Sequence, residues 1–206
     1  MNVLIACEFS GIVREAFKAK GHNAWSCDLL DTEIPGQHIK GDVLEVLEGK
    51  VNGISVVYGW DLMIAHPPCT NLAVSGAKHF YKKAMEQEKD LDFIIKLMDA
   101  PIEKICIENP VSIISTRIRK PDQIIQPYFF GDEFQKTTCI WLKNLPLLQH
   151  FAKDDLFNKK THVGKGDFYV SPSGKKLPKW YSDNKDSKNR SKTFQGIANA
   201  MAEQWG

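Results

Sequence analysis

The segments Leu62-Met63-Ile64-Ala65 and Ile105-Cys106-Ile107 are apolar at every position, and each is soon stopped by a proline-bearing turn. Runs this short read as strands, and a strand with no polar alternation is covered on both faces. That requirement constrains the fold most, because helices must then lie on both sides of one sheet. Residues 2–7 form a comparable run, broken by Glu8-Phe9-Ser10-Gly11, after which Ile12, Val13, Ala16 and Phe17 recur at helical spacing as far as Gly21. Residues 24–27 predict a second strand ending at Asp28, and a third element lies near Ile39, before Gly41-Asp42. A long helix is predicted over 79–100, with Phe93, Ile94, Leu97 and Met98 as its stripe. Strands alternating with helices imply right-handed crossovers and a mostly parallel sheet, an α/β sandwich. Segments 123–130 and 137–142 predict two closely spaced strands that make its far edge mixed. A final helix over 193–205 carries Ile197, Ala198 and Met201 on one face.

A chain of 206 residues is long enough for one domain with a full core. No apolar run approaches the ~20 residues that span a bilayer, and no basic-then-apolar leader precedes the first strand. The expected location is therefore the cytoplasm, with no membrane partner. Cys7, Cys27, Cys69, Cys106 and Cys139 show no C-x-x-C spacing, so neither a disulfide framework nor a metal site is expected. Cys7, Cys106 and Cys139 lie in apolar runs and read as core. The net charge of +2 is unevenly spread: residues 151–192 hold eleven Lys or Arg against five Asp. Phe157, Phe168, Tyr169, Trp180 and Tyr181 are interleaved there, a pattern suited to a polyanion, although a solvated loop accounts for charge alone. The expected organisation is a core over 1–150, a basic insertion over 151–190 and a helix over 191–206 that packs back on the core. A monomer is expected.

In such sheets ligands bind beyond the carboxyl ends of the strands. Glu8-Phe9-Ser10-Gly11 is a strand-to-helix turn there, without the G-x-G-x-x-G pattern of dinucleotide sites. Asp28 and Asp42 end the next two strands, placed to accept hydrogen bonds from ribose hydroxyls and an exocyclic amine. Taken singly, each reads equally as a cap or loop residue. Pro67 and Pro68 hold the residue after them, Cys69, in a fixed direction, which suits a nucleophilic thiol. Glu108 ends a buried strand, where burial is expected to raise its pKa and favour a proton donor. Asn109-Pro110 then breaks that strand.

These residues resemble the cytosine-C5 methyltransferase family. Phe9-Ser10-Gly11 is similar to its first cofactor motif, Pro67-Pro68-Cys69 to its nucleophile motif and Glu108-Asn109-Pro110 to its Glu-Asn motif. The short methylase-like proteins of phages and prophages, which lack a full target-recognition domain, are more similar still. They share the look of Ile5-Ala6-Cys7-Glu8-Phe9-Ser10-Gly11, His66-Pro67-Pro68-Cys69-Thr70 and Arg190-Ser191-Lys192-Thr193. The resemblance implies a Rossmann-like methyltransferase fold, S-adenosylmethionine as cofactor and DNA as partner, in the cytoplasm of a bacterial host. It implies Cys69 and Glu108 as catalytic, and Phe9, Ser10, Gly11, Asp28, Asp42 and Pro67 at the cofactor. Asn109, Pro110, Lys136, Lys175 and Lys176 fall on the substrate side. The family's Gln-x-Arg-x-Arg motif aligns with Gln135-Lys136-Thr137-Thr138-Cys139, which lacks both arginines; Lys136, Arg117 and Arg119 are the candidate replacements. After Cys69, Thr70-Asn71-Leu72-Ala73 stands where Gln-x-Phe-Ser is usual. A single-stranded, RNA or free-nucleotide substrate, or a binding module without turnover, are the competing readings.

Overall fold

The computed structural model describes residues 1–51, 54–55, 59–172, 174–184 and 186–206. Its main elements are β1 (Asn2–Ala6), α1 (Ile12–Ala19), β2 (Asn23–Asp28), β3 (His38–Lys40), α2 (Val43–Leu47), β4 (Leu62–Ala65), α3 (Ala84–Met98), β5 (Lys104–Pro110) and α4 (Ile114–Arg117). They continue with β6 (Gln123–Ile125), β7 (Thr138–Lys143), β8 (Phe168–Val170), β9 (Lys176–Pro178), α5 (Lys179–Asp183), α6 (Ser187–Ser191) and α7 (Gln195–Trp205). A two-residue ladder, Lys50–Val51 with Ile54–Ser55, stands apart from the main sheet.

Alternation along β1 explains the architecture. Val3 and Ile5 pack into one core with Val13 and Phe17 of α1 and with Ile197, Met201 and Trp205 of α7. Leu4 and Ala6 face the other core, with Val43 and Val46 of α2 and Leu91, Ile94 and Leu97 of α3. β4 is covered in the same way, Leu62 and Ile64 on one side and Met63 and Ala65 on the other. This double coverage is why the central strands lack polar alternation.

The seven-stranded sheet has the order β3-β2-β1-β4-β5-β7-β6. Strands β3 to β5 in that row are parallel, whereas β7 is antiparallel to both β5 and β6. The first five follow the doubly wound order, and the fold is Rossmann-like with a mixed edge. Its order reverses between β1 and β4, so the crevice for a ligand opens there. Register brings the strand ends level: Ala6 pairs with Cys27 and with Ala65, and Ala65 pairs with Ile107. The next residues, Cys7, Asp28, His66 and Glu108, therefore emerge in one row.

Three expectations need correction. The 79–100 helix begins at Ala84; a 3-10 helix, Val74–Lys82, precedes it, and side-chain spacing over a few residues does not separate the two helix types. The 123–130 strand stops at Ile125, because Pro127 has no N–H for the ladder and opens the 3-10 turn Pro127–Phe130. Cys7 lies outside β1, half-buried in the left-handed region at φ 57°, whereas Cys106 and Cys139 are core.

Candidate active site

Cys69 is held from both sides. Its carbonyl accepts hydrogen bonds from the Leu72 and Ala73 amides, closing a turn directly behind the thiol. That turn is laced to the one following Glu108: Val74 donates to Val111, Ile113 donates to Leu72, and Ala73 bridges Ser112. Asn109, only 1 % exposed, donates from Nδ2 to the Pro67 carbonyl at 3.0 Å. The turn after β4 and the turn after β5 are thus one rigid unit, and Asn109 serves as its clamp. The expectation that Glu108 ends the strand and Asn109-Pro110 breaks it needs correction: β5 runs on to Pro110, because Asn109 and Pro110 still pair with Cys139 and Thr138 of β7.

The thiol itself is half-buried. Burial pushes its pKa up, the neighbouring Glu108 carboxylate adds to that, and Lys136 opposes it. Glu108 lies opposite Ile140 of β7, with its side chain 11 % exposed. Burial pushes its carboxyl up, but a hydrogen bond from His66, the Lys136 charge and Thr138 outweigh this and hold it below the usual carboxylate range. The expected proton donor is therefore a carboxylate at rest, because partners that a strand pattern does not reveal overcome desolvation.

Of the three candidate replacements for the missing arginines, Lys136 is the one placed near both Cys69 and Glu108. Its ammonium acts on both Cys69 and Glu108, donates to the Lys192 carbonyl at 3.2 Å, and lies 5.9 and 5.8 Å from the ring centroids of Trp180 and Phe194. Arg117 instead pairs with Glu88 and Arg119 with Asp122, each at 2.7 Å. Tyr181 also approaches the thiol, since a Cys69 charge acts on its hydroxyl, whose pKa burial raises.

On the other side of the switch point, Gly11 caps α1 at φ 78°, and a Cβ there would come within 2.7 Å of Arg14 Nη2. Glu8, 4 % exposed, accepts hydrogen bonds from the Val13 amide at 2.7 Å, the Arg14 amide at 3.3 Å and the Ser10 hydroxyl at 3.2 Å. It therefore fills the amides that a helix start would offer to an anion. Asp28 and Asp42 each use Oδ1 to cap the following turn, on Leu30 and Leu44, and among the described residues Oδ2 of each makes no hydrogen bond. Both act on the Cys7 thiol, so the two carboxylates converge on one end of the sheet. Phe9 and Pro67 are buried, and Lys188 Nζ sits 4.8 Å from the centre of the Phe9 ring.

Sequence reasoning quoted His66 and Thr193 only as members of motifs, without a role, and did not single out Glu33 or Lys188. His66 Nδ1 is 3.1 Å from Glu108 Oε2 and 3.4 Å from Thr193 Oγ1. Glu33 pairs with Lys188 at 3.3 Å and Lys192 at 2.7 Å, tying the end of the basic segment to the loop after β2. The position of His66, immediately before Pro67, was the available signal. Lys175 and Lys176 are exposed at the start of β9, in a hairpin with β8, and Lys176 covers the Phe168 ring at 4.8 Å.

Among the described residues no group of three or more His, Cys, Asp or Glu is placed to hold a metal ion, and no helix is long and apolar enough to cross a membrane. No protein-family model matches the sequence, and no curated protein matches it. Among solved structures the fold is similar to an E. coli crystal structure described as a candidate DNA modification methyltransferase encoded within a prophage, with 12% identity and a TM-score of 0.47. The match covers 80% of this chain and 52% of that one, so this chain spans about half its length. Strand order, rather than this distant likeness, carries the fold assignment.

Proposed function

We propose that the protein is an S-adenosylmethionine-dependent methyltransferase acting at C5 of cytosine in DNA, with Cys69 as nucleophile and Glu108 on the ring-nitrogen side. The observation that carries this reading is one thiol in the turn after β4 and one carboxylate in the last residues of the adjacent β5, with the Lys136 cation acting on both. Addition of the Cys69 sulfur to C6 makes C5 nucleophilic, while Glu108 stabilises the charge arising at N3. Loss of the C5 proton and departure of the sulfur restore the aromatic ring. Dividing one hard substitution into addition and elimination lowers the barrier.

When bound, S-adenosylmethionine supplies an electrophilic methyl group. For it the chain offers Phe9 and Pro67 as apolar walls, the Ser10-Gly11 turn for close approach, and Oδ2 of Asp28 and Asp42 for hydroxyl and amine hydrogens. Glu8 supports this choice, because a self-filled helix start suits a cofactor without phosphates. The basic segment 151–190 acts as a reduced recognition element, with Lys175 and Lys176 meeting phosphates. A base inside a duplex must leave the stack to reach Cys69. The aromatic pair Trp180 and Phe194 beside Lys136 favours a second reading, in which the base is already unpaired.

DNA containing 5-fluorocytosine tests the proposal. With S-adenosylmethionine it should trap a covalent adduct on Cys69, and Cys69→Ser should abolish both adduct and label transfer. Transfer that survives Cys69→Ser, or no adduct on the wild type, overturns the reading. Single-stranded and duplex versions of one oligonucleotide decide between paired and unpaired substrates.

A further inference from the structure

Trp180 stands outside both hydrophobic cores, yet it is half-buried. A large aromatic ring in a lysine-rich segment, packed into neither core, needs another reason to be covered. Its neighbours are Phe194, with ring centres 5.4 Å apart, Tyr181 at 5.0 Å and the Lys136 ammonium at 5.9 Å. It also lines a cleft of about 290 Å³ bounded by the approach to β7, the segment 165–167 and α5. That volume is small for a ligand pocket and suits one ring system rather than a length of nucleic-acid backbone. The walls are closely built. Gly166 is left-handed at φ 73°, and a Cβ there would strike the Glu133 carbonyl, so only glycine lets the two segments close. The Lys179 amide donates to the Asp167 carbonyl at 2.8 Å and holds α5 beside the same segment.

Phe134, 41 % exposed, adds a second ring to the cleft. Around the rings stand three carboxylates, Glu133, Asp167 and Asp183, against two ammonium groups, Lys165 and Lys179, the latter 4.0 Å from Asp167. Such a rim repels phosphate and suits a neutral flat ring with amine hydrogens to donate. Position says whose ring this is. Lys136 also acts on Cys69 and Glu108, so the cleft adjoins the reacting centre, with Trp180 linking the two. We propose that this cleft is a second base-binding site: it takes an unpaired nucleobase bearing an exocyclic amine, stacked on Trp180, from the nucleotide next to the target cytosine. Its place in the strand rests on the cytosine reading above. Stacking supplies affinity whatever the base, whereas the carboxylates accept amine hydrogens, which thymine lacks. Trp180 is thereby a specificity-determining residue, and the chain reads one neighbour of its target without a full recognition domain.

The experiment measures binding of the full chain to a dye-labelled single-stranded oligonucleotide in which one cytosine lies between two adenines. At one of those two positions an abasic site should weaken binding about tenfold, and purine, which lacks only the amine, about fivefold. Trp180→Leu should cost the intact strand the same factor as the abasic site and cost the abasic strand nothing further. Trp180→Phe, which keeps a ring, should restore most of the loss. No loss at either abasic position, or equal loss on intact and abasic strands in Trp180→Leu, overturns the site. Equal binding of adenine and purine strands overturns the amine assignment. Should Trp180→Leu fold poorly, 5-iodocytosine at the same position decides on the wild type. Photo-crosslinking to Trp180 is expected, and attachment elsewhere overturns the proposal. None of these measurements needs chemistry at Cys69. A wild type that forms no 5-fluorocytosine adduct therefore ends the cytosine reading, while the binding pattern judges the cleft by itself.

Discussion

Cys69 and Glu108 influence each other through charge, and the sign of that influence is open to measurement. Burial and the Glu108 carboxylate both raise the Cys69 thiol above its ordinary range, whereas Lys136 lowers it. Removing the carboxylate in Glu108→Gln should therefore speed alkylation of Cys69 by iodoacetamide at neutral pH, even though methyl transfer is lost. Lys136→Gln should slow alkylation, moving its pH profile to higher pH. The opposite order of rates would mean that Lys136 does not serve the thiol. Glu108 also bears on stability. Its folded pKa lies below the usual value, so its contribution is present above the ordinary carboxylate range and lost as pH falls through the folded value. The thiol and carboxylate were legible in the sequence because each comes just after an apolar run and within two residues of a proline. The lowered pKa of Glu108 was not, since it depends on His66, 42 residues away, and on Lys136 and Thr138 from the β7 side.

At the scale of elements, α1 and the turn before it carry the cofactor argument. Gly11 occupies the left-handed region and has Arg14 Nη2 and the Ile34 Cβ where a side chain would go. Arg14 is fully buried and holds the following loop through Ser26, Thr32 and the Ile34 carbonyl. Gly11→Ala should lose about 1–2 kcal/mol from backbone strain alone, more if Arg14 is displaced, measurable by denaturant unfolding. S-adenosylmethionine affinity should fall in the same variant; full stability with unchanged affinity would remove this turn from the cofactor site. Most elements here were readable from pattern: α1, β4, β5 and α7 sit close to where spacing and breakers put them. The misjudged elements are those where two conformations share a periodicity, as in the 3-10 helix Val74–Lys82 before α3.

For the whole molecule, charge asymmetry becomes a surface once the basic segment is folded. The β8–β9 hairpin exposes Lys175 and Lys176, and α5 adds Lys179. If this hairpin meets the phosphate backbone, replacing those three lysines by glutamine should lower the salt dependence of DNA binding. The slope of log K against log salt should fall by roughly 0.9 for each lost duplex contact. An unchanged slope would move the nucleic-acid surface elsewhere on the chain. Ion pairs from Glu33 to Lys188 and Lys192 tie the end of the basic segment to the loop after β2. Local pattern alone establishes which runs are buried, where they stop and which reactive side chains stand at their ends. Those are properties of a few neighbouring residues, namely apolar period, proline and glycine. That His66 meets Glu108 follows only from strand order and register. That Thr193 reaches across 127 positions to the same ring, and that Lys136 comes near both Cys69 and Glu108, follow only from the tertiary fold. Such contacts depend on which strands lie side by side, and no short window of sequence encodes that neighbourhood.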